Sequence, residues 1–227
     1  MGITRIDAQD LRAIFEFVAY RIEQEESALN ALDAAIGDGD HGITMRTGFQ
    51  AVKDTITVMP VDASPTEVLN EAGEAFMSAA GGAIGVILGS MFIAGGKALV
   101  NSTQIGAAEV KTLLYAMEAG VVNAGKAHPG DKTLLDPLHA ACESLASATT
   151  DDLGDAFSRA AAAANASAQS TAKMLCRLGR ASRLGDRVLG HPDPGAVSFS
   201  LIMRSIAEWV LTKGAVSMPS ISRHSLV

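Results

Sequence analysis

The sequence predicts an all-α fold, and three observations point there. Aromatic residues make up only 4% of the 227 residues while hydrophobic residues reach 48%. The core is therefore built from Ala, Val, Leu, Ile and Met, which suit helices better than the pleated faces of a β-sandwich. Apolar residues recur at helical spacing along most of the chain. Helix start signals punctuate these stretches, the clearest being Ser64-Pro65-Thr66-Glu67: a Ser cap, Pro at the first helical position, and Glu three residues after the cap.

Taken in order, Asp7 caps a first helix in which Leu11, Ile14, Phe15, Val18 and Ile22 share a face, with Glu23, Glu25 and Glu26 taking the solvent side towards Gly37. A second helix starts near Gly42 and carries Met45, Phe49, Val52 and Ile56. The Ser64 signal opens a third, with Val68, Leu69, Ala72, Phe76 and Met77 running towards Gly81. A fourth covers 83–100 and a fifth 107–124, the latter with Val110, Leu113, Leu114, Met117 and Val121 inside. The sixth spans 134–146, with Pro137 near its start, where proline is tolerated. The alanine-rich stretch 152–178 reads as one long seventh helix. An eighth runs over 194–212, closed by Lys213-Gly214. With no internal repeat or linker, residues 1–214 read as one domain of about eight helices, followed by a loosely held tail at 215–227.

A net charge of −7 and a pI near 5.2 exclude the basic face that phosphate contacts to nucleic acid require. A mean hydropathy of +0.23 excludes a disordered chain. Cys142 and Cys176 supply neither a disulfide framework nor zinc spacing, which suits a reducing compartment. The first residues carry no apolar run of a signal peptide, and Ile6 stands where a myristoylation site needs Ser or Thr. The expected location is the cytoplasm. One stretch argues for a membrane span: no charge lies between Glu74 and Lys97, and Gly81, Gly85 and Gly89 stand four apart. The doublets Gly81-Gly82 and Gly95-Gly96 interrupt it, and it reads as a buried central helix whose small residues let a neighbour approach closely.

Candidate chemistry concentrates in Leu32-Asp33-Ala34-Ala35-Ile36-Gly37-Asp38-Gly39-Asp40-His41-Gly42. Three carboxylates lie close in sequence with no Lys or Arg among them, and carboxylates that converge repel unless a cation sits between them. The glycines let the backbone turn all three towards one point. Short Asp ligands suit Mg²⁺, which shares its shell with waters and phosphates. The other reading is a solvated interhelical turn whose aspartates act as caps. A calcium EF-hand is excluded, because Gly42 takes a ligand position and Phe49 stands where the bidentate Glu belongs. No second His or Cys stands near His41 at zinc spacing.

Three further turns suit phosphate. Ala80-Gly81-Gly82-Ala83 opens a helix whose first amides are free for an anion. His128-Pro129-Gly130-Asp131-Lys132-Thr133 also precedes a helix, but Asp131 parts Gly from Lys and no strand comes before it, so it is no P-loop. Arg180 lies in a Gly- and Arg-rich stretch that leads to His191-Pro192-Asp193-Pro194-Gly195, and its guanidinium suits a phosphate. Each turn alone also reads as an ordinary capped connection.

Together these strings resemble one family: the nucleotide-binding L subunits of bacterial dihydroxyacetone kinases, which recur as the C-terminal domain of single-chain kinases. The resemblance rests on LDAAIGDGDHG, TMRTGF, GGAIGVILGSMF, GKAHPGDKTLLD, AAAANASAQST and GRASRLGDRVLGHPDPGA, in that order. It implies a barrel of eight antiparallel helices with ADP or ATP at one end, joined to the protein through two Mg²⁺ ions. It carries metal ligation onto Asp33, Asp38 and Asp40. Nucleotide contacts carry onto His41, Gly42, Ile43, Thr44, Ala83, Ile84, Gly125, Leu134, Arg180, Asp193, Pro194 and Gly195, with Arg180 also steadying the transferring phosphoryl group.

The sequence departs from the family pattern where Ile84 replaces a frequent Ser, Thr44 a frequent Asn, and Arg183 a frequent aromatic. His41 favours the sugar-kinase branch over fatty-acid kinases, which usually carry Thr there. The resemblance further implies a partner K subunit holding a short ketose. The donor would be ATP or a phosphohistidine carrier of the phosphotransferase system, and a homodimer is allowed. The competing expectation is a nucleotide-charged regulatory protein without kinase activity.

Overall fold

The computed structural model describes residues 2–100 and 102–212; the expected stop at Lys213-Gly214 and the tail at 215–227 lie outside the described residues. Nine α-helices carry the described chain: α1 (Ala8–Gln24), α2 (Glu26–Ala34), α3 (His41–Thr57), α4 (Pro65–Ala79), α5 (Gly82–Ala98), α6 (Ala107–Gly125), α7 (Leu135–Ala146), α8 (Leu153–Ser170) and α9 (Pro194–Thr212). No strand occurs among the described residues; the single β-bridge joins Ile6 to Ile105. The expected starts hold well. Asp7 and Ser64 both form reciprocal capping boxes, with Asp10 and Glu67 at the third helical position.

Two expectations are corrected. The first helix does not run unbroken towards Gly37: it breaks at Glu25, whose N–H reaches back to the Arg21 and Ile22 carbonyls at 3.3 and 3.2 Å. The run of Glu around the break offers no apolar face to hold the helix straight, and α2 buries only Leu29. The long seventh helix ends at Ser170 instead of continuing to Leu178. There the chain tightens into a 3-10 turn, Thr171–Lys173, because the buried Thr171 Oγ1 donates to the Ala168 carbonyl at 2.6 Å and accepts the Asp193 N–H at 2.9 Å. A second 3-10 stretch, Arg180–Val188, interrupted at Gly185, then leads towards α9.

Packing follows the chain. From α3 each helix lies against the next through to α9; α9 returns to α1, which packs on α3, while α2 lies on α3. The core between them is largely apolar, from Ile22, Met45 and Val68 to Leu138, Ala164 and Met203, with the buried hydroxyls of Ser198, Ser200 and Ser205 on α9. Phe15, Phe49, Phe76 and Phe92 meet edge to face at its centre, their ring centroids 5.2 to 6.3 Å apart, and so join α1, α3, α4 and α5.

The glycine run of α5 does what small residues on one face allow. A Cβ on Gly89 would lie 2.8 Å from the Gly73 carbonyl of α4, and one on Gly73 would lie 2.7 Å from the Gly89 carbonyl. The two backbones therefore touch. No described helix is long and apolar enough to cross a membrane.

Connections alternate between two ends. At one end Ile6 and Ile105 exchange N–H···O bonds of 3.0 and 2.8 Å, Leu153 N–H donates to the Ile3 carbonyl, and Arg12 donates to the carbonyls of Met59 and Pro60. The connections after α2, α4, α6 and α8 all reach the other end, where they border a single cavity. Because Phe49 is fully buried among aromatic rings, Phe49→Ala is expected to cost about 3–5 kcal/mol of unfolding free energy with α-helical content retained, as read by urea titration followed by circular dichroism.

Candidate functional site

The cavity has a volume of about 730 Å³, within the range of small-molecule sites. Its acidic side is the turn between α2 and α3. Gly39 adopts φ +80°, a conformation that other residues rarely take, and this lets the Gly39 and Asp40 N–H groups donate to Asp33 Oδ2 at 2.8 and 3.2 Å. The turn thereby folds over the carboxylate that precedes it. Side-chain oxygens of Asp33, Asp38 and Asp40 come within 4.8 Å of one another. Asp33 is half-buried, whereas Asp38 and Asp40 are exposed at the mouth, a wetter setting than the apolar neighbours in the sequence suggest.

A positive charge that the segment itself lacks arrives from elsewhere in the chain. Arg180 Nη1 donates to Asp38 Oδ2, bringing the second 3-10 stretch over the cluster. Three oxygen donors of one type, one of them already oriented by backbone amides, with a cation drawn onto the set, fit a hard divalent ion such as Mg²⁺.

Opposite lies the first turn of α5. Gly81 caps the helix without any described side chain, Gly82 takes φ +69°, and Gly82 and Ala83 are exposed. Their N–H groups, at the positive end of the helix dipole, are open to an anion. The start of α3 is likewise uncapped by Asp40, and His41 at its head is largely enclosed. Its Nε2 lies 3.0 Å from Ser198 Oγ, and its ring hydrogen-bonds the Pro194 carbonyl. Burial lowers the His41 pKa below its usual value, against the opposing pull of the Asp33 carboxylate and the Pro194 bond.

At the head of α9, Asp193 Oδ2 accepts the Ala196 N–H at 2.8 Å. Burial pushes the Asp193 carboxyl up to about 7, helped by neighbouring Asp136 and resisted by the Ala196 and Gly195 amides and by Lys132. The remaining wall is mainly apolar: Ile87, Val121, Ala124, Ala127, Leu134 and Leu178.

Of the residues expected from sequence, Asp33, Asp38, Asp40, His41, Thr44, Ala83, Ile84, Gly125, Leu134, Arg180, Asp193 and Pro194 all border this cavity. Gly42, Ile43 and Gly195 do not. A Cβ on Gly42 would lie 2.1 Å from the Glu26 carbonyl, so Gly42 faces α2; the Ile43 N–H donates to Asn30 Oδ1 at 3.1 Å while its side chain is exposed. The Gly195 amide is taken up by Asp193. Sequence reasoning left two residues without a role. Ser198 is a buried hydroxyl in an apolar helix, and Lys132 is a lysine with no solvent exposure in the wall of the cavity. For Ser198 the signal was a set of serines (Ser198, Ser200, Ser205) among the apolar residues of α9. For Lys132 no signal separates it from a surface lysine.

Carboxylates and an open helix N-terminus around one cavity in an all-helical fold suit a ligand that brings both a cation and an anion, and sequence comparison gives the family. Residues 35–208 match the DAK2 domain, and the chain belongs to the DAK2 domain family. It is 36% identical over 189 residues to the ADP-binding subunit DhaL of PEP-dependent dihydroxyacetone kinase 2 from Listeria innocua, covering 82% of this chain and 88% of that one. It is also 36% identical over 185 residues to the corresponding DhaL subunit from Escherichia coli, covering 81% and 88%. The structure resembles the dihydroxyacetone kinase of C. freundii in complex with AMP-PNP and Mg²⁺, with a TM-score of 0.66 and 28% identity. That match covers 87% of this chain and 33% of the kinase, so the chain spans about a third of that protein's length.

Because the Asp193 carboxyl is raised from its usual value to about 7, the folded protein holds a proton there that the unfolded chain releases near pH 4. Its contribution to stability is present at low pH and is lost as pH rises towards 7. Asp193→Asn is therefore expected to gain in unfolding free energy relative to the natural protein between pH 5 and pH 7.5, measured by urea titration at both values.

Proposed function

We propose that the chain is the nucleotide-binding subunit of a kinase for dihydroxyacetone or a related short ketose, a phosphotransferase with an alcohol acceptor. The observation that carries this reading is the meeting, across one cavity, of an oxygen-donor trio and open helix N-termini, in a chain 36% identical to DhaL subunits. The closed circuit of packed helices, with connections alternating between its ends, supports an antiparallel barrel with the nucleotide at one mouth. ADP or ATP would lie there, held through two Mg²⁺ ions on Asp33, Asp38 and Asp40. When bound, the metal and nucleotide supply charge neutralisation and the transferable phosphoryl group.

The protein's part is positioning. Asp33 is fixed by two amides, so its carboxylate meets a cation without reorienting. Gly82 and Ala83 offer N–H groups to phosphate oxygens, and Ile84 beside them offers no hydroxyl. Arg180 exchanges Asp38 for the negative oxygens of the phosphate and steadies the charge that develops in transfer. Leu134, Gly125 and the adjoining apolar wall flank the base. His41, Thr44 and the turn at Asp193 and Pro194 complete the rim; Gly42, Ile43 and Gly195 lie behind it, the Ile43 and Gly195 amides being already taken by Asn30 and Asp193. The relatives are named as ADP-binding subunits of a dihydroxyacetone kinase, which supports a partner K subunit that presents the ketose. The donor reading follows the PEP-dependent relatives: nucleotide stays bound and is recharged by a phosphohistidine carrier. Two free cysteines among the described residues support a cytoplasmic location.

Asp38→Ala and Asp40→Ala are each expected to abolish Mg-ADP binding by calorimetry while leaving the circular dichroism spectrum unchanged; undiminished affinity in either variant removes that residue from the metal shell. ADP is expected to remain with the purified protein through extensive dialysis, and labelled ATP to exchange slowly. Rapid exchange would instead make ATP a donor consumed at each turnover.

A further inference from the structure

Lys132 is the one lysine among the described residues with no solvent exposure, and it adopts φ +61°, a backbone region that residues other than glycine seldom enter. Among the described residues its ammonium meets no carboxylate at ion-pair distance. Nζ instead donates to two main-chain carbonyls, Val188 at 2.7 Å and His191 at 2.6 Å, which lie 56 and 59 residues further along the chain. A lysine placed this way gives up hydration for two charge-assisted bonds, an arrangement that apolar packing could replace if stability alone were at stake.

What those bonds hold is the approach to α9. Val188 ends the second 3-10 stretch and is fully buried. Beyond it the Gly190 N–H donates to the Ala172 carbonyl at 2.8 Å, and the Asp193 N–H donates to the buried Thr171 hydroxyl at 2.9 Å. Next come Asp193, which caps α9, and Pro194, whose carbonyl takes the His41 ring. The loop bearing Lys132 is itself stiff: Asp136 accepts the Gly130 and Thr133 amides, and Asp131 accepts that of His128. Lys132 thus joins a rigid loop on one side of the cavity to the turn that forms another.

We propose that Lys132 is a positioning residue for the nucleotide, holding the 188–195 turn against the cavity through the Val188 and His191 carbonyls. The inference rests on the nucleotide-binding reading above. It concerns a residue whose Nζ is engaged by two main-chain carbonyls and not by the acidic cluster.

The test uses the full chain. Lys132→Met keeps the side chain's length and removes its donors; Leu138→Ala, in the fully buried core of α7, provides a comparable loss of stability without touching the turn. Calorimetric titration with Mg-ADP is expected to give an affinity about tenfold weaker or worse for Lys132→Met, and one within about twofold of the natural protein for Leu138→Ala. Hydrogen exchange without nucleotide is expected to quicken at the Gly190 and Asp193 amides in Lys132→Met only.

Unchanged affinity and exchange in Lys132→Met, or equal losses in both variants, would overturn the positioning role. If the natural protein itself does not bind Mg-ADP, the nucleotide reading fails, while the exchange comparison still decides whether Lys132 holds the turn. Should Lys132→Met not fold, the Nζ resonance of Lys132 in ¹⁵N-lysine-labelled natural protein is expected to be protected from solvent and to move on addition of Mg-ADP; a resonance that does not move overturns the proposal.

Discussion

Three carboxylates within 4.8 Å of one another repel, and the end of the molecule that holds them is arranged around that repulsion. Two backbone amides answer Asp33, a guanidinium from far along the chain answers Asp38, and the heads of α3, α5 and α9 turn their positive ends towards the same space. The demand for positive charge is met in part by fixed dipoles, which cannot leave, and in part by Arg180, an exposed side chain that is free to do so. A ligand carrying both a divalent cation and phosphate oxygens would satisfy both halves at once: Asp33, Asp38 and Asp40 would hold the cation, and the open amides together with Arg180 would hold the phosphates.

The opposite end of the bundle carries no comparable tension. Its connections are joined by main-chain bonds, Ile6 with Ile105 and Leu153 with Ile3, and by the Arg12 guanidinium, which donates to the carbonyls of the α3–α4 turn. Between the ends, the phenylalanine cluster and the Gly73–Gly89 contact fix how α3, α4 and α5 sit. The division leaves the charged groups together on connections whose positions are set by a largely apolar core.

Much of this was legible in the sequence because its causes are local. Helix periodicity, the Asp7 and Ser64 caps and the glycines of the acidic turn each act over a few residues, and they located most helices and the acidic trio. What the sequence hid depends on distant partners. The end of α8 at Ser170 is set by Thr171 bonding Asp193, and the break at Glu25 reflects the absence of any apolar surface to carry a straight helix past it. Arg180 reaching Asp38 and Lys132 reaching Val188 and His191 span separations that no spacing rule covers. Gly42, Ile43 and Gly195 mark the reverse limit: family resemblance assigns them to the ligand, while none of them lines the cavity and the Ile43 and Gly195 amides are taken by Asn30 and Asp193.

The reciprocal approach of Gly73 and Gly89 has a consequence beyond packing density. Each carbonyl occupies the place where the other residue's first side-chain carbon would grow. Even a single methyl there forces α5 to slide or tilt, and α5 is one rigid rod whose far tip is the exposed turn at Gly82 and Ala83. Two hydrogen atoms in the middle of the bundle therefore set, by leverage, how far the rod's tip projects at the cavity.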